Sequence, residues 1–85
     1  MTPEQIADVR MDLRGTPCPI NFVRTKLMLS QMRVGQTLEV WLDAGEPIEQ
    51  VPHSLTLEGY QNLEITSLEP EDGFRLFIPV QEPKE

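Results

Sequence analysis

A single cysteine, Cys18, stands between Pro17 and Pro19, just after Gly15-Thr16 and just ahead of a helical stretch. The thiolate is the nucleophilic form of cysteine, and it is favoured where backbone N–H groups and the positive end of a helix dipole face the sulfur. Proline is common at the first helical position, so Pro19 reads as that residue and Cys18 as the N-cap before it. An N-cap side chain meets N–H groups that have no partner inside the helix. The two prolines restrict the chain and are expected to hold the sulfur in one pose. The chemistry on offer is nucleophilic attack by sulfur. A lone cysteine can equally be an inert, buried small hydrophobe, and position alone leaves both readings open. The proline-flanked, helix-opening loop favours the reactive one, since an inert cysteine belongs on the apolar stripe.

The elements that position this sulfur follow from the hydrophobic period. Asp8 to Arg14 alternates, putting Val9, Met11 and Leu13 on one strand face. From Pro19 to Met32 the pattern is helical, with Ile20, Val23, Leu27 and Met28 expected as the core stripe and Gly35 as a stop signal. Thr37 to Asp43 alternates again, with Leu38, Val40 and Leu42 facing inward. Ile48, Val51 and Leu55 mark a second helical region; Pro52 inside it predicts a short first turn and a restart, and Gly59 predicts its C-cap. Asn62 to Leu68 and Phe74 to Val80 read as strands joined by the Glu69-Pro70-Glu71-Asp72-Gly73 loop, with Pro79 marking a frayed or bulged end. The order is β-α-β-α-β-β. It predicts an α/β (α+β) two-layer sandwich, a four-stranded mixed sheet with both helices on one face. One domain over residues 8–80 is expected, with residues 1–7 and 81–85 as frayed ends.

A right-handed strand-helix-strand unit places Cys18 at the sheet edge where the second strand ends. Asp43 and Glu46 then lie near the sulfur and oppose its ionisation, while Arg14 and the helix terminus favour it. Phe22, one turn from the sulfur, is a candidate docking residue, and Arg24 and Lys26 could guide an acidic partner.

Composition narrows the functional classes. With 85 residues, 7 basic and 14 acidic, the chain has a net charge of −7. That charge disfavours nucleic acid and anionic membranes, so the expected partners are proteins. One cysteine and one histidine cannot build a disulfide or a zinc site from this chain alone, and neither metal nor cofactor is expected. The absence of an export signal, of a long apolar run and of paired cysteines predicts a cytoplasmic protein, and its size predicts a monomer. His53 and the Glu69-Glu71-Asp72 cluster read as solvated surface rather than as a general base or a metal site.

Leu13-Arg14-Gly15-Thr16-Pro17-Cys18-Pro19-Ile20-Asn21 resembles the signature of the TusA/SirA family, in which a strand runs into Cys-Pro-x-Pro. The similarity continues through Val23-Arg24-Thr25-Lys26, Gly35-Gln36-Thr37-Leu38-Glu39-Val40, and Asp43 with Pro47, Ile48 and Pro52, covering roughly residues 8–80. The resemblance implies a fold like the C-terminal domain of translation initiation factor three. It implies a sulfur carrier, with Cys18 taking a persulfide from a cysteine desulfurase or rhodanese-like donor. The downstream acceptor would be of the tRNA-thiolation, molybdenum-cofactor or sulfur-oxidation type. A non-catalytic adaptor using the same fold is the alternative function. Asn21 departs from the motif, replacing its second proline. Asparagine at N3 keeps the backbone donor and adds a side-chain amide, and both are expected to bond the thiolate or persulfide. If strands two and four are neighbours, as the resemblance implies, Trp41 and Phe77 form an aromatic pair on the uncovered sheet face.

Overall fold

The computed structural model describes residues 7–69 and 71–80. Of the expected frayed ends, all but Ala7 lie outside the described residues. The elements are β1 (Val9–Asp12), α1 (Ile20–Ser30), β2 (Thr37–Leu42), α2 (Glu46–Leu57), β3 (Glu64–Ser67) and β4 (Phe74–Pro79). The sheet order is β1-β2-β4-β3; β1 and β2 run parallel and the other pairs antiparallel. This is the expected mixed sheet. Leu38, Val40, Leu42, Leu76 and Ile78 are fully buried from the sheet and meet Leu29 of α1 with Val51 and Leu55 of α2. Because β1 and β2 are parallel, both helices begin at the same sheet edge. That edge carries Cys18.

α1 presents the opposite face to the one its apolar residues suggest. Ile20, Val23 and Leu27 are 51%, 56% and 59% exposed, whereas Asn21, Thr25 and Leu29 are buried. Phe22, Met28 and Met32 pack against the core as partly buried residues, so the helix carries apolar side chains around most of its circumference and period alone does not choose a face. What permits the polar face to turn inward is internal hydrogen bonding. The Thr25 hydroxyl donates to the Asn21 carbonyl at 2.9 Å, and the Asn21 side chain finds partners of its own. No buried side-chain polar atom among the described residues lacks a partner. Leu29→Ala is therefore expected to lower the unfolding free energy by about 3 kcal/mol, through lost burial and a residual cavity. Leu27→Gln, only two residues away in sequence but outside the core, should change it by less than about 0.5 kcal/mol. Chemical denaturation of the two variants checks the orientation; the reverse ranking overturns it.

α2 also departs from expectation. It is one continuous helix with Pro52 inside it rather than a turn and a restart. An internal proline removes one helical bond and costs about 3 kcal/mol. Here buried Val51 and Leu55 and half-buried Ile48 hold both halves against the sheet, and this packing outweighs the break. Gly59, with φ +105°, follows the helix as expected: its N–H bonds Thr56 O and the Tyr60 N–H reaches back to Leu55 O. Gly35 does not stop α1, which ends five residues earlier; it occupies a later turn. Pro79 neither frays nor bulges β4. Val80 N–H donates to Gln36 O, so the Pro79 nitrogen points the other way, past the start of β3, where no ladder donor is needed.

On the uncovered face, Trp41 lies opposite Arg75, and Phe77 lies opposite Glu39. The expected aromatic pair is replaced by cations on the indole. Arg14 and Arg10 sit 4.9 and 5.8 Å from the Trp41 ring centre. The Glu39 side chain, almost fully buried, accepts from Trp41 Nε1 at 2.6 Å and pairs with Arg10 and Arg75 at 3.4 and 3.6 Å.

Candidate functional site

The loop from Leu13 to Pro19 is fixed at three points before it reaches the cysteine. Leu13 N–H donates to Trp41 O, Thr16 N–H closes a turn onto Leu13 O, and Gly15 N–H donates to the Asp43 carboxylate at 2.6 Å. Gly15 has φ +83°, a left-handed conformation that side chains disfavour. Asp43, expected only as an adverse charge near the sulfur, is thus a clamp that ties the cysteine loop to the end of β2.

Cys18 is exposed. It is not the N-cap. Val23 N–H bonds Pro19 O, so Pro19 supplies the first helical acceptor and occupies the cap position, with φ −94° and ψ 13°. Pro19 brings no side-chain cap, and the Cys18–Pro19 peptide is cis. Cys18 sits one residue outside the helix and Asn21 at its second position, not its third.

Asn21 is the residue that reaches the sulfur. Its Nδ2 lies 3.3 Å from Cys18 Sγ and 3.5 Å from Thr16 O. Its Oδ1 accepts from Phe22 N–H at 2.7 Å, which fixes the amide with its NH2 toward the sulfur. The backbone N–H of Asn21 goes instead to Pro17 O. Of the two donors that the sequence offered at this position, the side chain faces the sulfur and the backbone does not.

Arg14 is turned away. Its guanidinium pairs with Asp12 at 2.8 Å and Glu71 at 3.3 Å and covers Trp41. The Asp12 hydrogen bond raises the Arg14 pKa and, reciprocally, holds the Asp12 carboxyl below the usual carboxylate range. Its charge is thereby engaged on the uncovered sheet face, which also accounts for Glu71 of the acidic loop. Lys26 is likewise paired, 2.9 Å from Glu58, and that hydrogen bond raises its pKa. The pair joins α1 to the end of α2. Arg24 and His53 are exposed.

Phe22 and Cys18 share a cleft of about 260 Å³ between the start of α1 and one side of α2. Pro19 and Asn21 complete the α1 wall, and Glu46, Gln50, Val51 and Ser54 form the α2 wall. Sequence reasoning had placed Glu46 near the sulfur but missed Gln50, Val51 and Ser54. Their signal was available: positions 46, 50 and 54 are four apart and share one helix face, and the parallel β1-β2 pair sets the two helix starts side by side. No group of three or more histidine, cysteine or carboxylate residues among the described residues is placed to hold a metal ion. No described helix is long and apolar enough to cross a membrane.

Comparison with known proteins extends this picture. The family model for the sulfurtransferase TusA matches residues 9–80. A protein of Thermotoga maritima named as a candidate sulfur carrier is 35% identical over 71 residues, covering 84% of this chain and 89% of that one. YedF of Escherichia coli K12, also named as a candidate sulfur carrier, is 35% identical over 60 residues, covering 71% and 78%. Among solved structures, a SirA-like protein from Desulfitobacterium hafniense superimposes with a TM-score of 0.74 at 23% identity, over 87% of this chain and 99% of that one. The structural likeness concerns the two-layer fold.

Proposed function

Because the chain belongs to the TusA sulfurtransferase family, we propose that it is a sulfur carrier whose Cys18 accepts a sulfane sulfur from a donor persulfide and relays it to an acceptor protein. The Cys18 thiolate attacks the outer sulfur of the donor persulfide. The donor's sulfur–sulfur bond breaks, its inner sulfur leaves as a thiolate, and Cys18 becomes the persulfide. Delivery repeats the step with an acceptor nucleophile attacking and the Cys18 thiolate leaving, so no external oxidant or reductant enters. A chain with one cysteine cannot discharge the persulfide internally as a disulfide, which suits a carrier.

The observation that supports this reading most is an exposed cysteine beside an open cleft, with an oriented buried amide aimed at its sulfur from 3.3 Å. Asn21 is the sulfur's hydrogen-bond donor in this reading, and Pro17, Pro19 and the Asp43–Gly15 clamp hold the loop that presents it. A free thiol of this kind stays reduced in the cytoplasm, where the reading places the protein. An adaptor role draws on a different feature: the exposed Ile20, Val23 and Leu27 stripe offers a docking face beside the cysteine whether or not sulfur is moved.

Incubating the protein with a cysteine desulfurase and cysteine should add the mass of one sulfur atom, removable by dithiothreitol. Prior alkylation of the protein with iodoacetamide should block the gain. Failure to load, or loading of the alkylated protein, counts against a Cys18 carrier.

A further inference from the structure

The Cys18 cleft has unlike walls. The loop ahead of α1 brings the cysteine and α1 brings Phe22; from α2 comes the row Glu46, Gln50 and Ser54 with Val51. Glu46 is the one charged residue lining it, and no basic side chain lines it at all. Of the cations nearest in sequence, Arg14 is paired with Asp12 and Glu71 and Lys26 with Glu58, while Arg24 is exposed but does not line the cleft. Asp43 at the same edge has the same sign as Glu46, and the whole chain carries −7. Acidic residues in the first turn of a helix are favoured by its dipole, and that accounts for Glu49. Glu46 differs from Glu49 in sharing a cleft with the sulfur. The volume, about 260 Å³, falls below the roughly 300–1,000 Å³ of small-molecule sites, which suits one or two side chains of a partner rather than an enclosed ligand.

Resting on the carrier reading, we infer that Glu46 makes the Cys18 cleft selective for cationic sulfur partners. The occupant is a protein segment in which a basic residue flanks the reacting cysteine, and anionic sulfur compounds are disfavoured. Gln50 and Ser54 offer that segment hydrogen bonds along the same wall. Two exposed unit charges several ångströms apart across water change a rate by about threefold in either direction, so cationic and anionic reagents should differ by about tenfold.

Charged disulfides test this without knowledge of the natural partner. The Cys18 thiolate attacks one sulfur of the probe, the probe's sulfur–sulfur bond breaks, one half leaves as a thiolate and the other remains as a mixed disulfide. Cystamine supplies positive charge and dithiodiglycolate negative charge. Each rate, followed by intact mass at low ionic strength, is divided by that of β-mercaptoethanol with the same probe. The normalised cystamine rate should be about tenfold higher, with the ratio falling toward one in high salt. Glu46→Gln should remove most of the preference and Glu46→Lys should invert it. Asp8→Asn, the same loss of charge at the opposite sheet edge, should leave it unchanged. Equal normalised rates in the wild type, or an unchanged ratio in Glu46→Gln, overturn the charge selection and leave the carrier reading standing. A Cys18 that reacts with neither probe overturns both.

Discussion

Cys18→Ser is expected to abolish sulfur loading altogether while leaving the stability of the fold within about 0.5 kcal/mol of wild type. The first half follows from chemistry: a hydroxyl is not ionised at neutral pH and forms no persulfide, and the chain has no second thiol to take over. The second half follows from position. Cys18 is exposed, and the hydrogen bond that reaches it, from Asn21 Nδ2, can be accepted by a serine oxygen. No buried donor is orphaned and no cavity opens. The loop is held by Leu13, Thr16 and Gly15, not by the cysteine itself. Intact mass after incubation with a desulfurase and cysteine reads the loading, and a urea midpoint reads the fold. Serine should also keep partner binding, because the exposed α1 stripe is untouched. If the variant retains biological activity as well as binding, the adaptor reading replaces the carrier. If it still gains sulfur, Cys18 is not the acceptor.

The fold was largely legible because most elements are regular and short. Alternation in Thr37–Leu42 and Phe74–Pro79 set the buried faces of both central strands, and those faces are the ones that pack on the helices. The position of Cys18 at the common helix-start edge follows from handedness alone. The orientation of α1 was not legible. Asn21 and Thr25 are poor core residues by type, and only the bonds they make locally, to Phe22 N–H and to the Asn21 carbonyl, make their burial tolerable. A hydrophobicity pattern contains no record of such bonds. The same holds for Arg14. Its neighbour in sequence is the cysteine loop, but its guanidinium answers to Asp12, Glu71 and the Trp41 ring, two of which lie far away along the chain.

These two misreadings share a consequence for the site. Turning α1 over delivers Asn21 to the interior edge of the cysteine loop and carries Ile20, Val23 and Leu27 to the outside. With Arg14 turned to the uncovered face, no basic side chain lines the cleft beside Cys18. The side-chain donor that faces the sulfur is then an uncharged amide.

Asn21→Asp isolates that donor, and its effect should be large. Aspartate keeps the volume and the Oδ1 acceptor that receives Phe22 N–H at 2.7 Å. It replaces the NH2 with a second oxygen, directed at Cys18 Sγ and Thr16 O, where the amide had donated. A hydrogen bond to a charged group is worth about 1.5–3 kcal/mol, so its loss alone should slow alkylation by iodoacetamide at neutral pH by at least about tenfold, and repulsion between carboxylate and thiolate adds to this. Asn21→Ala removes the donor without adding charge, so the rates should fall in the order Asn, Ala, Asp. Stability carries an independent signature. Asn21 is fully buried, and a carboxylate there has lost solvent without gaining a donor for its outer oxygen. Its folded pKa is raised above the unfolded value of about 3.9. The penalty is therefore full above the folded value and shrinks as pH falls from there toward about 3.9, so the variant should recover stability relative to wild type on mild acidification. An Asn21→Asp protein that alkylates as fast as wild type would show that the amide is not the sulfur's donor. One that reacts slowly, and regains stability in acid, ties the buried polar face of α1 to the chemistry of the exposed cysteine beside it.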